Sequence, residues 1–366
     1  MTVIKFYKII YFIYKFKNIV IILFLIGQSQ NISQTKIRCV YCQQIISSKY
    51  MLVDGKAYHL GHFLCAECNK QIVGSFMRKD DSYYHSDCYM QAEGLICYYC
   101  KKPLNEEYVV NENKKYHKSC YENYILPKCT VCSMPLKGEY YEDIYQNKYH
   151  SYHKNELHQC DCCNRIICQT LTNGGKDYTD GRHICNKCYS TAVFDQGQME
   201  RLSVKVSERL SSVGIKFNLK NIKIIGVDRN VLRSKAKNYN ENTQGYCDSK
   251  SLSKYLDDKL VNQTTYHTIY VLNGMSSIKI ESIIAHELMH SWIYENTKDN
   301  FPQKINEGSC NYASYLYLKS LNQNPALEQI KLLETDPDTI YGKGFLEIRQ
   351  RFENKSVYDF LAFLKH

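Results

Sequence analysis

A repeated spacing of cysteine and histidine constrains the first half of this chain more than any other feature. Of its 18 cysteines, 16 lie between Cys39 and Cys188. They open with C-x2-C pairs, and a second pair of ligand-type residues follows each after 16, 16, 16, 17 and 21 residues. Two thiols so spaced can bind one metal ion, and the intervening residues can return a second pair as a small hairpin. The spacing therefore predicts five zinc units.

The zinc units are numbered here by their order in the chain. Their predicted ligands are Cys39, Cys42, His59 and His62 in the first; Cys65, Cys68, His85 and Cys88 in the second; Cys97, Cys100, His117 and Cys120 in the third; Cys129, Cys132, His150 and His153 in the fourth; and Cys160, Cys163, Cys185 and Cys188 in the fifth. Cys162, Cys168, Cys247 and Cys310 stand outside these sets. Histidine forms no disulfide, so its repetition favours zinc over a disulfide framework. Such modules have almost no core, and metal binding would supply their folding energy.

A second pattern, H-E-x-x-H, lies in the sequence IIAHELMHSW at residues 283–292. The surrounding residues predict a helix that starts at Ser276 or Ser277. His286 and His290 would share one face of this helix, and Glu287 would lie about 100° around it. This is the arrangement of a zinc peptidase. An amphipathic helix with two polar residues at the edge of a core is the alternative.

A second helix, predicted to start near Ile305, supplies the third ligand. Glu307 lies 17 residues after His290, and a partner helix of this kind delivers the third ligand in gluzincin metallopeptidases. The metzincin pattern is excluded, because Ile293 and Asn296 stand where it requires glycine and histidine. Glu295 is the weaker alternative, because it would point away from the histidines.

The predicted chemistry is hydrolysis of a peptide bond. A water molecule bound to zinc would attack the carbonyl, and Glu287 would take its proton and pass it to the leaving amine. Tyr341, in the sequence YGKGF, is a candidate partner for the oxyanion. The alternative for Tyr341 is a turn residue that packs against Phe345.

The first two zinc units resemble a LIM domain in their spacing and in the ending YHSDCY, although His62 replaces the usual cysteine. The full order of motifs, with HICNKCYSTAVFD, AHELMHSW, INEGSCNYASYLYL and YGKGF, resembles the plant LIM-peptidase family that limits organ size, the DA-one regulators. This resemblance covers roughly residues 97 to 350. It implies a zinc-dependent, ubiquitin-regulated endopeptidase, with His286, His290 and Glu307 as zinc ligands and Glu287 as the catalytic glutamate. Ubiquitin remains a possible partner only by this resemblance, since no ubiquitin-interacting helix precedes the LIM region.

These patterns predict a multidomain chain of zinc-stabilised β-hairpin modules followed by an α+β, zincin-like metallopeptidase domain. We expect a signal-peptide-like segment at 1–29, a LIM domain at 30–92, further LIM-like units at 93–190 and the peptidase domain at 191–366. Within the last domain, residues 199–213 predict a helix, NIKIIGV and TIYVLNG predict strands, and the polar stretch 233–253 predicts a long loop.

The N-terminal segment leaves the compartment open. Lysines precede the apolar run IVIILFLIG, and Gly27 and Ser29 are small residues at the positions that a signal peptidase inspects. A basic membrane-surface helix and a misassigned start codon are the alternatives. The segment indicates the secretory pathway or membrane association, whereas the family resemblance implies a cytoplasmic protein.

The net charge of +10 does not predict a nucleic-acid-binding protein. Four of these charges lie in the first 17 residues, and zinc-bound thiolates would reduce the remainder. No arginine-rich run is present in the sequence. The sequence thus predicts a zinc-dependent endopeptidase with about five structural zinc ions and one catalytic ion. It would bind protein substrates and partners through its LIM-type modules. A non-catalytic LIM adaptor with a scaffold peptidase domain is the alternative.

Overall fold

A computed structural model of the 366-residue chain describes residues 2–4, 10–12, 36–256, 259–297 and 301–365. The chain forms two compact bodies, one of Lys5–Pro127 and one of Lys128–His366 together with Met1–Ile4. The apolar run at 19–27, predicted as the centre of a signal-like segment, lies outside the described residues. Among the helices of the described ranges, none has the length and apolar character needed to cross a membrane.

Every zinc unit opens with the same tight turn. The residue directly after the second cysteine of each C-x2-C pair has a left-handed backbone, with φ between 55° and 63°: Gln43, Asn69, Lys101, Ser133 and Asn164. The amide of the first cysteine donates to the carbonyl five residues later, as from Cys39 to Gln44 at 2.9 Å. The fifth unit has this turn although its ligand positions are all cysteine. The five units are therefore structural repeats.

A short antiparallel hairpin follows each turn, as the spacing predicted. In chain order the hairpins pair β3 (Tyr50–Val53) with β4 (Lys56–His59), β5 (Met77–Lys79) with β6 (Ser82–Tyr84), β7 (Tyr108–Asn111) with β8 (Lys114–His117), β9 (Tyr140–Glu142) with β10 (Lys148–His150), and β11 (Gly175–Asp177) with β12 (His183–Cys185). Strand β1 (Thr2–Ile4) pairs with β9, and β2 (Ile10–Phe12) pairs with β7.

Short helical segments occur in the second to fifth zinc units, and all but the one at 169–172 hold the last ligand of their unit, namely Cys88, Cys120, His153 and Cys188. They are α1 (Ser86–Ala92), α2 (Lys118–Cys120), which continues as a π-helical turn (Tyr121–Ile125), α3 (His153–Glu156), α4 (Gln169–Thr172) and α5 (Asn186–Tyr189). The first two units share one small core, in which Phe63 packs edge-on against Phe76 and Tyr83. A core this small leaves most of the folding energy to the metal.

The C-terminal part of the second body is an α+β fold around a three-stranded sheet. Its elements are α6 (Gln196–Ser212), a 3-10 turn (Leu219–Asn221), β13 (Ile222–Val227), α7 (Arg229–Lys235), β14 (Gly245–Leu256), β15 (Lys259–Leu272), α8 (Ser277–Asn296), α9 (Gln303–Leu321), α10 (Asn324–Glu334), α11 (Tyr341–Phe352) and α12 (Val357–Lys365). The sheet order is β13-β15-β14, with β15 parallel to β13 and antiparallel to β14. Helix α8 packs against this sheet and against α6, α9 and α10.

The prediction of a polar loop at 233–253 is wrong over much of that range. Residues 229–235 form α7, whose N-cap Asp228 accepts a hydrogen bond from the amide of Val231, and residues 245–253 belong to the edge strand β14. Small residues alternate along β14 at Gly245, Cys247 and Ser249. Small side chains let α8 approach the strand closely, and their low hydrophobicity concealed the strand from sequence reasoning.

One continuous core joins the fifth zinc unit to the α+β fold. It contains cysteines of the fifth zinc unit together with buried residues of α6, β15, α8, α9 and α11. The fourth and fifth units also lie in the same compact body as the helices that follow them. The predicted domain boundary at residue 190 stays a prediction, but the fifth unit shares its core with the α+β fold.

Candidate active site

The structure brings the predicted ligands of every zinc unit together. In each set of four, the candidate ligand atoms lie within 4.8 Å of one another. Sγ to Nδ1 distances run from 3.3 Å for Cys68 and His85 to 3.9 Å for Cys88 and His85, and the Sγ atoms of Cys163 and Cys185 lie 3.7 Å apart. A tetrahedral zinc ion would place sulfur and nitrogen roughly 3.6 Å apart and two sulfurs roughly 3.8 Å apart. These Cys/His groups therefore suit zinc.

Backbone hydrogen bonds prepare the first thiol of each of the first three units for a metal. The amides of His59, His85 and His117 each donate to the sulfur of the first cysteine in their unit at 3.4 Å. Burial raises the pKa of these thiols, but backbone hydrogen bonds outweigh it and lower the pKa of Cys39, Cys65 and Cys97 to about 6. Because the thiolate is the form that binds zinc, these contacts favour metal binding.

A separate group of ligand-type atoms lies between α8 and α9. His286 Nε2 is 3.1 Å from Glu307 Oε2 and 3.2 Å from His290 Nε2, and His290 Nε2 is 3.4 Å from the same Glu307 oxygen. Ligands at 2.0–2.1 Å from a tetrahedral zinc ion would be roughly 3.3 Å apart. The three distances match that spacing.

The hydrogen bonds of His286 leave its Nε2 without a proton. The amide nitrogen of Asn311 donates to the backbone carbonyl of Tyr341 at 3.2 Å, so its Oδ1 faces His286 Nδ1 at 2.8 Å. An acceptor at that position requires a proton on Nδ1. The unprotonated Nε2 then points at Glu307 and His290.

The thiol of Cys310 plays for His290 the part that Asn311 plays for His286: it lies against Nδ1. The sulfur of Cys310 lies 3.3 Å from His290 Nδ1, and its S–H donates to Asn306 Oδ1 at 3.9 Å. Burial raises the pKa of Cys310 to about 11, so the thiol keeps its proton and its sulfur is available to accept from Nδ1–H. His290 Nε2 is thereby also left as a lone pair.

Two unprotonated imidazole nitrogens and a carboxylate therefore converge on one point. Three electron-pair donors at this spacing repel one another unless a cation lies between them. Two histidines and a carboxylate are the ligand set of many catalytic zinc sites, and these residues fit such an ion.

Glu287 lies beside the ligands, in contact with the edge strand. It is 4% exposed, and burial raises its pKa. A Cβ added to Gly245 would lie 2.8 Å from the Glu287 carboxyl carbon. Only glycine at the start of β14 leaves room for this carboxyl group. A buried carboxyl group next to a metal site is suited to accept and return a proton.

Tyr341 lies at the start of α11, next to the same group. Its ring stacks beside that of His286, with centroids 6.4 Å apart. Burial raises its pKa to about 12, helped by the charge of Glu307, so the phenol stays protonated at neutral pH. A protonated hydroxyl at this place could donate to an oxyanion.

Glu295, the alternative third ligand, lies away from the group. Its Oε1 is 3.1 Å from Nε2 of the buried His267, whose Nδ1 is 2.7 Å from Ser249 Oγ. Sequence reasoning missed Cys310 and Asn311, although both follow Glu307 by three and four residues and so share its face of α9. That spacing was the available indication.

Comparison with known proteins finds two family models in the chain. Residues 39–93 match the LIM domain, and residues 240–332 match the DA1-like family, described as Protein DA1. The first range holds the first two zinc units. The second holds β14, α8 and α9, and so includes His286, Glu287, His290 and Glu307 but not Tyr341.

Relatives come from plants. LIM domain-containing protein HDR3 of Oryza sativa subsp. japonica is 28% identical over 195 residues, which cover 45% of this chain and 38% of that protein. Protein DA1 of Arabidopsis thaliana is 26% identical over 236 residues, covering 50% and 44%. Protein DA1-related 1 of Arabidopsis thaliana is 25% identical over 310 residues, covering 77% and 51%. The chain thus spans about half or less of these relatives, and the resemblance to the DA-one regulators is confirmed.

Proposed function

We propose that this protein is a zinc-dependent endopeptidase of the gluzincin type, with LIM-type zinc units that bind protein substrates or partners. The observation that carries the proposal is the convergence of His286, His290 and Glu307 at 3.1–3.4 Å beside the buried carboxyl group of Glu287. A structural zinc site has four protein ligands, whereas three leave a position for water or substrate.

Each residue of the site has a separate task. His286, His290 and Glu307 would hold the ion, with Asn311 and Cys310 fixing the orientation of the two imidazoles. A zinc ion held there would supply Lewis acidity toward water and toward a peptide carbonyl. Glu287 would take the proton of the attacking water and deliver it to the leaving amine. Tyr341 would donate a hydrogen bond from its phenolic hydroxyl to the developing oxyanion.

The free edge of the sheet gives a place for an extended substrate. In the described residues β14 pairs with β15 on one side only, and its first residue contacts Glu287. An exposed strand edge can bind an extended chain through main-chain hydrogen bonds. Such binding recognises backbone more than sequence, in keeping with an endopeptidase acting on unfolded segments.

The test compares Glu287→Gln with the wild type on a denatured protein substrate and on the chain itself. The amide keeps the size of the side chain but cannot accept a proton, so we expect cleavage to fall by about 10²–10⁴-fold. Zinc content, measured by mass spectrometry, should not change, because Glu287 is not a ligand. Glu295→Gln, on the same helix but paired with His267, is the matched control and should keep wild-type cleavage.

Equal cleavage by the wild type and Glu287→Gln, with candidate activators such as ubiquitin present, would contradict the proposal. In that case the adaptor hypothesis would account better for the LIM domain.

A further inference from the structure

We propose that the fifth zinc unit is the anchor of the candidate active site: occupancy of its four-cysteine site holds the start of α8 and the start of β14 in place. This inference rests on the proposed function in one respect only: the effect that loss of the anchor would have on cleavage. The anchoring itself concerns metal binding and backbone order, which can be measured separately.

The chain leaving the fifth unit pairs with the turn that enters α8. The amide of Val193 donates to the carbonyl of Met275 at 3.0 Å, and the amide of Gly274 donates back to Val193 at 2.7 Å. Two residues after Met275, the amide of Ser277 donates to the carbonyl of Thr191 at 2.9 Å. The first residue of α8 is thus hydrogen-bonded directly to the segment 191–193, which follows the fifth unit.

The hairpin of the fifth unit also contacts the turn that precedes α8, at Asn273 and Gly274. Arg182 is 2% exposed and donates through Nη1 to the carbonyl of Asn273 at 2.5 Å, while Asp180 pairs with it at 2.8 Å. The hydroxyl of Tyr178 donates to the carbonyl of Gly274 at 2.8 Å. Moving this buried arginine away from Asp180 would leave an uncompensated charge, so the position of Arg182 against Asn273 is strongly favoured.

The cysteine turn of the unit also reaches the helix and the edge strand. Cys162 Sγ is 3.1 Å from Oγ of Ser276, the N-cap residue of α8. The carbonyl of Asp161 accepts from Gln244 Nε2 at 3.3 Å, and its carboxylate accepts from Arg229 at 2.7 Å. Gln244 directly precedes Gly245, which contacts Glu287.

Metal in the fifth unit is what makes these contacts rigid. Cys160 and Cys163 flank Asp161 and Cys162, and Cys185 and Cys188 close the same site next to the exit segment. All four ligand cysteines are buried within the core shared with the α+β fold. Apart from the ion, the turn is linked to the hairpin by hydrogen bonds between Asp161 and His183, at 2.9 and 2.7 Å. The ion would add bonds from both cysteine pairs, and zinc binding and folding are one event in such modules.

The experiment uses the full chain and compares Cys188→Ser with Cys120→Ser, which removes one ligand from the third unit in the other compact body. After dialysis against a zinc buffer, native mass spectrometry counts the bound ions. Cys120→Ser should lose one ion, and Cys188→Ser should lose two, because the His286–His290–Glu307 site loosens with its anchor. Amide hydrogen exchange in residues 273–290 should accelerate at least about tenfold in Cys188→Ser only.

Arg182→Met is a second test, needed because Cys188→Ser could simply unfold. It keeps all four cysteines, so the fifth unit should retain its zinc while exchange at 273–290 still accelerates. Loss of one ion in Cys188→Ser with wild-type exchange at 273–290, or wild-type exchange in Arg182→Met, would overturn the anchor. Failure of the peptidase proposal would instead show as absent cleavage in the wild type, with these metal counts and exchange rates unaffected.

Discussion

Gly308 on α9 and Gly344 on α11 lie backbone against backbone. A Cβ added to Gly308 would lie 2.9 Å from the Cα of Gly344, and one added to Gly344 would lie 3.3 Å from the Cα of Gly308. Real Cβ atoms do not approach backbone at the first distance, so the two helices can cross this closely only without side chains. Gly308 directly follows Glu307, so this helix crossing helps to fix the position of the Glu307 side chain relative to α11.

Gly308→Ala should destabilise the protein and weaken the candidate zinc site together. The added methyl group meets backbone that cannot yield cheaply, and overpacking of this kind costs about 1–3 kcal/mol. Urea unfolding and zinc competition assays would measure both effects. Gly197→Ala is the matched control, because a Cβ there meets only the side chains of Asp195 and Arg201. It should be neutral or stabilising, and equal unfolding midpoints for the two variants would contradict the prediction.

Asn311→Ala should lower zinc affinity at the candidate active site by about 10–100-fold. The variant removes the acceptor that fixes the Nδ1 proton of His286. Ser309→Ala is a control on the same helix, since the buried Ser309 Oγ has no hydrogen-bond partner within the described ranges. Its zinc affinity should equal that of the wild type. If Asn311→Ala also binds zinc normally, the assigned orientation of His286 is wrong.

Tyr317→Phe should cost about 1–3 kcal/mol of stability. The Tyr317 hydroxyl donates to Glu281 at 2.6 Å, and Glu281, which also pairs with Lys205 at 2.7 Å, is 3% exposed. Removing one donor leaves part of a buried carboxylate without a partner. Tyr358→Phe, at a position 73% exposed, should leave the urea midpoint unchanged. A similar midpoint for both variants would show that Glu281 is satisfied without Tyr317.

Wild-type protein should bind six zinc ions, five in the Cys/His groups and one at His286, His290 and Glu307. Cys88→Ser should bind one fewer, because it removes a thiolate from the second unit. Cys168→Ser should keep the full number, since Cys168 belongs to none of the five groups and its sulfur lies 3.2 Å from Thr170 Oγ1. Mass spectrometry under native conditions counts the ions. A wild-type count near one would refute the zinc array.

The ligand sets could be read from the sequence because their geometry is local. A C-x2-C turn and a hairpin of fixed length determine where the second pair of ligands returns, and the structure gathers the same twenty residues. His286 and His290 share a helical face for the same reason, and the start of α8 agrees with the predicted Ser276 or Ser277.

What the sequence concealed depends on tertiary packing. Strand β14 is polar and rich in small residues, and its pairing with β15 and its contact with α8 explain why it is a strand. Cys310 and Asn311 look like ordinary helix residues until α9 docks against α8. The sharing of a core between the fifth zinc unit and the α+β fold likewise depends on contacts from Arg182 to Asn273 and from Cys162 to Ser276, across about a hundred residues of sequence.

Helix α9 carries Glu307, Cys310 and Asn311 on one face, and this placement has a consequence for biosynthesis. A ribosome makes the two histidines of α8 first, and at that stage the nascent chain has neither the third ligand nor the groups that orient the imidazoles. All three arrive with a single helix, 17 to 21 residues after His290. The proposed peptidase would thus be inert until α9 has been synthesised, and it would acquire its metal site only when α9 can pack against α8.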